Sequence, residues 1–154
     1  MSFDFKSLPV EEFLPHAGKM VLIDEVIVCD KGHIEVKTSV RKDSLFYDAE
    51  LGGSNAMLGI EWMAQSIGTI AGIHAKQNNE PVRVGFLLGT RRYEPSKQVF
   101  ELDSEYIVKA DELYNEDNGL AAFECGIYQN GVTIAESTLS VFSPKELSEV
   151  IQEP

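Results

Sequence analysis

Positive charge is scarce in this chain: 13 Lys and Arg stand against 25 Asp and Glu, a formal net charge of −12. A nucleic-acid binder carries a basic footprint, and an anionic membrane repels so acidic a surface; neither partner is expected. Cysteine is nearly absent. Cys29 and Cys125 lie in apolar or alternating runs without CxxC spacing, which fits reduced thiols in a cytosolic protein. Long apolar runs are also lacking. The least charged stretch, Asn55–Ile73, holds Glu61 together with Asn55, Gln65, Ser66, Thr69 and three glycines. About 20 mostly apolar residues would be needed to span a bilayer, so this stretch reads as a helix buried in a soluble core. The opening residues Met-Ser-Phe-Asp-Phe-Lys carry an early acid and no apolar core; no signal peptide is expected, and the chain is read as cytoplasmic. There is no clustered metal-ligand set, dinucleotide-binding glycine fingerprint, P-loop or nucleophile elbow. Metal, nucleotide and serine-hydrolase chemistry therefore lack support, and no cofactor is expected.

What is present suits one domain: 154 residues, 44% apolar and 25% charged, leaving no room for a second core. Val10–Leu14 reads as one or two helical turns stopped by Pro15. Met20–Val28 and the alternating Ile34–Val40, joined through Asp30-Lys31-Gly32, read as a β-hairpin. Gly52-Gly53 allow a sharp turn, and Ser54 or Asn55 then caps a helix from about Ala56 to Gln77. That helix is apolar nearly all round, as a buried helix is. Its Ala64, Gly68 and Gly72 form a stripe that lets the backbone lie close against something flat. Four strands are expected next: Val82–Gly89, Val99–Asp111, Ala121–Tyr128 and Val132–Phe142. Asn130-Gly131 between the last two is a strong hairpin signal. Six strands with one long apolar helix give an α+β architecture. The links are too short for parallel crossovers, so the sheet is mostly antiparallel. A curved sheet wrapped around the helix hides it best, which is the hotdog fold.

Three blocks carry a resemblance. Leu14-Pro15-His16-Ala17-Gly18-Lys19-Met20-Val21-Leu22-Ile23-Asp24 is similar to the opening segment of the 3-hydroxyacyl-acyl-carrier-protein dehydratases. Ile60-Glu61-Trp62-Met63-Ala64-Gln65 resembles their central-helix motif, in which the Glu is catalytic. Val84-Gly85-Phe86-Leu87-Leu88-Gly89-Thr90-Arg91-Arg92 resembles the segment after the helix. The blocks keep their order and spacing over most of the chain, and the likeness is greatest to the branch linked to aryl-polyene-type lipid clusters. It implies a lyase of fatty acid or aryl polyene-type lipid biosynthesis whose substrate carries its own phosphopantetheine. It also implies active sites that draw residues from two chains. One departure stands out. The common dehydratases place a His fourteen residues before the Glu, in a Gly-His-Phe-Pro-Gly motif; here that position is Tyr47.

Dehydrating a 3-hydroxyacyl thioester takes a base at C2, an acid for the leaving C3 hydroxyl and a donor for the thioester oxygen. Glu61, alone among apolar residues, is the candidate acid, since a desolvated carboxyl can stay neutral and donate. Gln65, one turn on, could orient it. His16, in a loop that the resemblance puts near the tunnel mouth, is the candidate base. Tyr47 could line the pocket or bond substrate, and Asp48 could pair with His16. Gly52, Gly53 and the start of the helix could supply the oxyanion donor, and Gly89 joins the substrate-binding set through the third block. His33 and His74 are read as solvated. Arg83, Arg91, Arg92 and Lys97 form a basic window opposed by Glu94 alone; Arg91 and Arg92 are the candidates for docking an acidic acyl carrier protein.

The first reading is a hotdog dehydratase acting on carrier-bound 3-hydroxyacyl chains. A hotdog thioesterase using Glu61 and a non-catalytic hotdog subunit paired with an active partner remain as alternatives; the Tyr47 position favours the latter. A homodimer or heterodimer is expected, with helices side by side and sheets joined, because a lone six-stranded sheet leaves open edges.

Overall fold

The computed structural model describes residues 4–144. Strands β1 (Glu25–Cys29) and β2 (His33–Ser39) pair antiparallel, as the hairpin reading expected. A short β3 (Gly53–Asn55) precedes helix α1 (Leu58–Gln77). Five strands follow it: β4 (Phe86–Arg91), β5 (Val99–Glu101), β6 (Glu105–Asn115), β7 (Leu120–Gln129) and β8 (Val132–Phe142). The main sheet is wholly antiparallel in the order β1-β2-β6-β7-β8-β4, while β3 and β5 form a separate two-stranded ribbon. This is a hotdog arrangement, with α1 packed on β2, β6, β7 and β8. Among the described residues no helix is long and apolar enough to cross a membrane.

Alternation decides which side chains meet α1. Along β2, Ile34, Val36 and Thr38 are buried while His33, Glu35 and Lys37 point to the outer face. Tyr106, Val108 and Ala110 do the same on β6. The helix answers with Trp62, Met63, Ile67, Ile70 and Ile73. Trp62 stacks on Phe100 with ring centroids 4.4 Å apart, and Tyr106 closes the aromatic group 5.4 Å from Trp62. The β7–β8 hairpin turns at Asn130 and Gly131, both with positive φ (52° and 79°), the geometry that Asn-Gly supplies.

Several expected boundaries move. The Met20–Val28 strand begins only at Glu25, because Gly18–Met20 forms a 3-10 turn. The expected Val99–Asp111 strand breaks into β5 and β6 at a turn where Asp103 takes φ 64°. β4 starts at Phe86, not Val82, and runs on to Arg91. The helix starts at Leu58, because Ser54 and Asn55 belong to β3. Ser54 Oγ donates to the Phe46 carbonyl (2.9 Å), and Asn55 Oδ1 accepts from the Met57 N–H (2.9 Å). The flat surface met by the small-residue stripe is the 3-10 turn Val10–Phe13. The Phe13 carbonyl stands where a Gly72 Cβ would be, and Leu14 lies against Gly68.

Candidate active site

One face of α1 is left open by the sheet. It carries Glu61, Ala64, Gly68, Ala71 and Ala75 at helical spacing, and it forms one wall of a cleft of about 410 Å³. The other walls come from Pro15 and His16, from Phe86 and Leu87 of β4, and from the β6–β7 end at Glu112 to Gly119. The small side chains keep this face shallow, so Glu61 stands proud of it.

Three of the residues expected in the site come together here. The Gln65 amide is buried and threefold bonded. Its Nε2 donates to Glu61 Oε1 (3.1 Å) and to the Met20 carbonyl (2.7 Å), and its Oε1 accepts from the Leu22 N–H (2.8 Å). Gln65 thus fastens the helix to the segment before β1 and fixes one carboxylate oxygen. His16 Nε2 lies 3.7 Å from that same oxygen, with the two side chains 30% and 39% exposed. Both can be reached from the cleft. His16 Nδ1, by contrast, is buried and has no hydrogen-bond partner among the described residues.

The other expected site residues lie elsewhere in the chain. Tyr47 is half-buried against the core, outside this cleft. Asp48 does not pair with His16. Its carboxylate accepts the Glu50 N–H (2.9 Å), and its backbone bridges to Gly53. Gly52 does turn with φ 69°, but its N–H goes to the Ala49 carbonyl (3.3 Å) and that of Gly53 to the Asp48 carbonyl (3.3 Å). At the helix start the Ala56 N–H is held by the Gln98 carbonyl (2.9 Å). These donors are spent on the turn and on the ribbon, leaving none of them for an oxyanion. Gly89 sits beside a bulge in β4 with open space around it, while Phe86 and Leu87 face the cleft.

The basic window contracts. Arg83 pairs with Glu80 (3.0 Å) and Lys97 with Glu101 (2.5 Å). Arg91 and Arg92 stay exposed, without an ion pair among the described residues. Arg92 takes φ 54°. The next residue, Tyr93, fits over Gly59, where a side chain would collide with its hydroxyl, and donates to the Ala56 carbonyl (2.5 Å). Burial pushes that phenol up to about 12.

The other two histidines differ in their surroundings. His74 lines the cleft; its place near the helix end disguised this in the sequence. His33 is clamped on the outer sheet face, Nε2 on Glu35 (2.8 Å) and Nδ1 on Asp111 (2.6 Å). Neither thiol is an active nucleophile. Burial pushes Cys29 up to about 11 and Cys125 to about 12, so neither offers thiolate near neutrality. A second, larger cleft of about 690 Å³ runs over Trp62 between the Val21–Glu25 segment and Arg41–Phe46. It contains neither His16 nor Glu61.

Residues 8–152 match the family model of ApeP-like proteins, described as ApeP dehydratase. The dehydratase heterocomplex ApeI:P from Xenorhabdus doucetiae is similar along nearly its whole length, with 30% identity, a TM-score of 0.88, and coverage of 95% of this chain and 99% of that one. A hypothetical thioesterase with coenzyme A from Streptococcus pneumoniae shares the fold at 18% identity and TM-score 0.58, over 77% of this chain and 84% of that one. Cj0977, a virulence protein of Campylobacter jejuni, does so at 14% identity and TM-score 0.62, over 89% of each. No curated protein matches the sequence.

Proposed function

The chain belongs to the ApeP-like dehydratase family, and from that premise we propose that it takes part in dehydrating 3-hydroxyacyl thioesters delivered by an acyl carrier protein. The observation that carries this reading is Glu61, held by buried Gln65 on the open face of α1 and joined there by His16. A carboxylate reachable from the cleft, with an amide and an imidazole set beside it, can serve the proton transfers the elimination needs. The thioester brings its own phosphopantetheine, so no cofactor is invoked.

The proposed site is completed by a second hotdog subunit. β4 is a sheet edge with Leu87 and Leu88 exposed, and the neighbouring face of α1 carries Ala64, Gly68 and Ala71 beside Ile67 and Ile70. An uncovered edge beside an apolar face suits a partner sheet and helix. The similar heterocomplex favours a different chain as that partner. Sedimentation as a stable monomer at micromolar concentration, alone and with a co-expressed partner, would refute this assembly.

The test is incubation with a 3-hydroxyacyl thioester, following the ultraviolet absorbance of the conjugated enoyl product. Activity that Glu61→Gln lowers by at least about a hundredfold, with the fold intact, supports the reading. Tyr47 at the usual His position favours one rival, a subunit that supports catalysis in its partner. Full activity of the complex with Glu61→Gln in this chain would establish that rival. Release of free thiol without enoyl product would point instead to thioester hydrolysis.

A further inference from the structure

His16 was expected to be the base, and a histidine base works through an unprotonated nitrogen. The nitrogen that faces the carboxylate is Nε2, 3.7 Å from Glu61 Oε1. For Nε2 to be bare in the neutral ring, the proton must sit on Nδ1. That atom is buried and has no acceptor among the described residues. A buried N–H left unpaired costs on the order of 1–3 kcal/mol, and a bare nitrogen there also goes unpaired; what separates the tautomers is that an Nε2–H faces the Glu61 oxygen, whereas a bare Nε2 would set its lone pair against it, and no acceptor at Nδ1 compensates.

We propose that neutral His16 is the Nε2–H tautomer, a hydrogen-bond donor toward Glu61, and that Glu61, not His16, takes the C2 proton. The Gln65 amide bonds Oε1 at 3.1 Å, and the His16 N–H faces the same oxygen from 3.7 Å. Oε2 is left to carry the proton. In the elimination, Oε2 of the Glu61 carboxylate removes the C2 proton and the C2–H pair becomes the second C2–C3 bond. The C3–O bond breaks with its pair on oxygen, and the departing hydroxide takes the proton back from Glu61 as water. The carboxylate is restored and His16 keeps its proton throughout, as a positioning residue.

The step rests on the dehydratase reading; the tautomer does not. Protein labelled with 15N-histidine, alone and in complex with its partner subunit, would be examined by two-bond proton–nitrogen correlation, with His16 assigned by its loss in His16→Gln. An unprotonated Nδ1 beside a protonated Nε2 in the neutral ring is expected. A Nδ1–H pattern, or the averaged pattern of a free imidazole, overturns the proposal. In the enoyl assay, His16→Gln, whose amide can donate but cannot act as a base, should retain at least about tenfold more activity than His16→Ala, the scale of one hydrogen bond to a charged group. Equal loss in both variants would overturn the role assigned to His16. An Nε2–H tautomer in a protein that forms no enoyl product would instead sink the dehydratase reading and leave the tautomer standing.

Discussion

Gln65 and Glu61 sit one turn apart on α1, and the amide of the first donates to the carboxylate of the second at 3.1 Å. Helical spacing alone permits that bond. It becomes fixed because the other two bonds of Gln65 grip the backbone at Met20 and Leu22. Orientation of the candidate catalytic carboxylate is therefore set by a segment more than 40 residues away in sequence.

Gln65→Leu keeps the bulk and removes all three bonds. The Met20 carbonyl and Leu22 N–H lose their partner, and stability should fall by about 1–3 kcal/mol. Enoyl formation should also drop in folded protein, because Glu61 is released. Urea unfolding and the enoyl assay measure the two effects, and an unchanged unfolding midpoint would refute the clamp.

Alanine is ordinarily a better helix residue than glycine by about 1 kcal/mol. At Gly72 the sign should reverse, since a Cβ would meet the Phe13 carbonyl and backbone. Gly72→Ala should destabilise by about 1–3 kcal/mol, the usual cost of overpacking. A thermal unfolding midpoint equal to or above that of the wild type would show that Val10–Phe13 yields freely.

The His33 clamp predicts a pH dependence. The hydrogen bond to Glu35 is the largest cause that raises its pKa above the ordinary 6.5, with Asp111 adding and burial opposing. The folded state therefore holds the proton more tightly than the unfolded chain. This contribution is complete below about pH 6 and is lost as pH rises through the raised folded value. Wild type should exceed His33→Gln in unfolding free energy at about pH 6, and the margin should shrink toward pH 9. A margin that grows with pH would refute the clamp.

Among the described residues Arg91 and Arg92 are the cations of the basic window without an ion pair, and the chain as a whole repels an acidic carrier. Reversing both to Glu should raise KM for carrier-bound substrate, most at low salt. A small thioester without the carrier should turn over nearly as before. Equal damage with both substrates would assign the arginines to the fold or the active site.

Local pattern was enough for much of the fold. Alternation marked β2, Asn130-Gly131 marked the last hairpin, and an apolar run with one carboxylate marked α1 and Glu61. Period and turn chemistry act between near neighbours, so a one-dimensional sequence carries them, and the quoted motif blocks carried the family likeness. Tertiary structure alone decided the rest. The β3–β5 ribbon pairs Gly53–Asn55 with Val99–Glu101 across the whole helix, and three residues show no period. That ribbon and its turn consumed the Gly52, Gly53 and Ala56 donors. The clamp on His33 needed Asp111 from a strand far along the chain. The burial of His16 Nδ1, on which its proposed role as a donor rests, is a property of the atoms packed around one ring. Such contacts depend on which distant segments meet, and no local spacing records that.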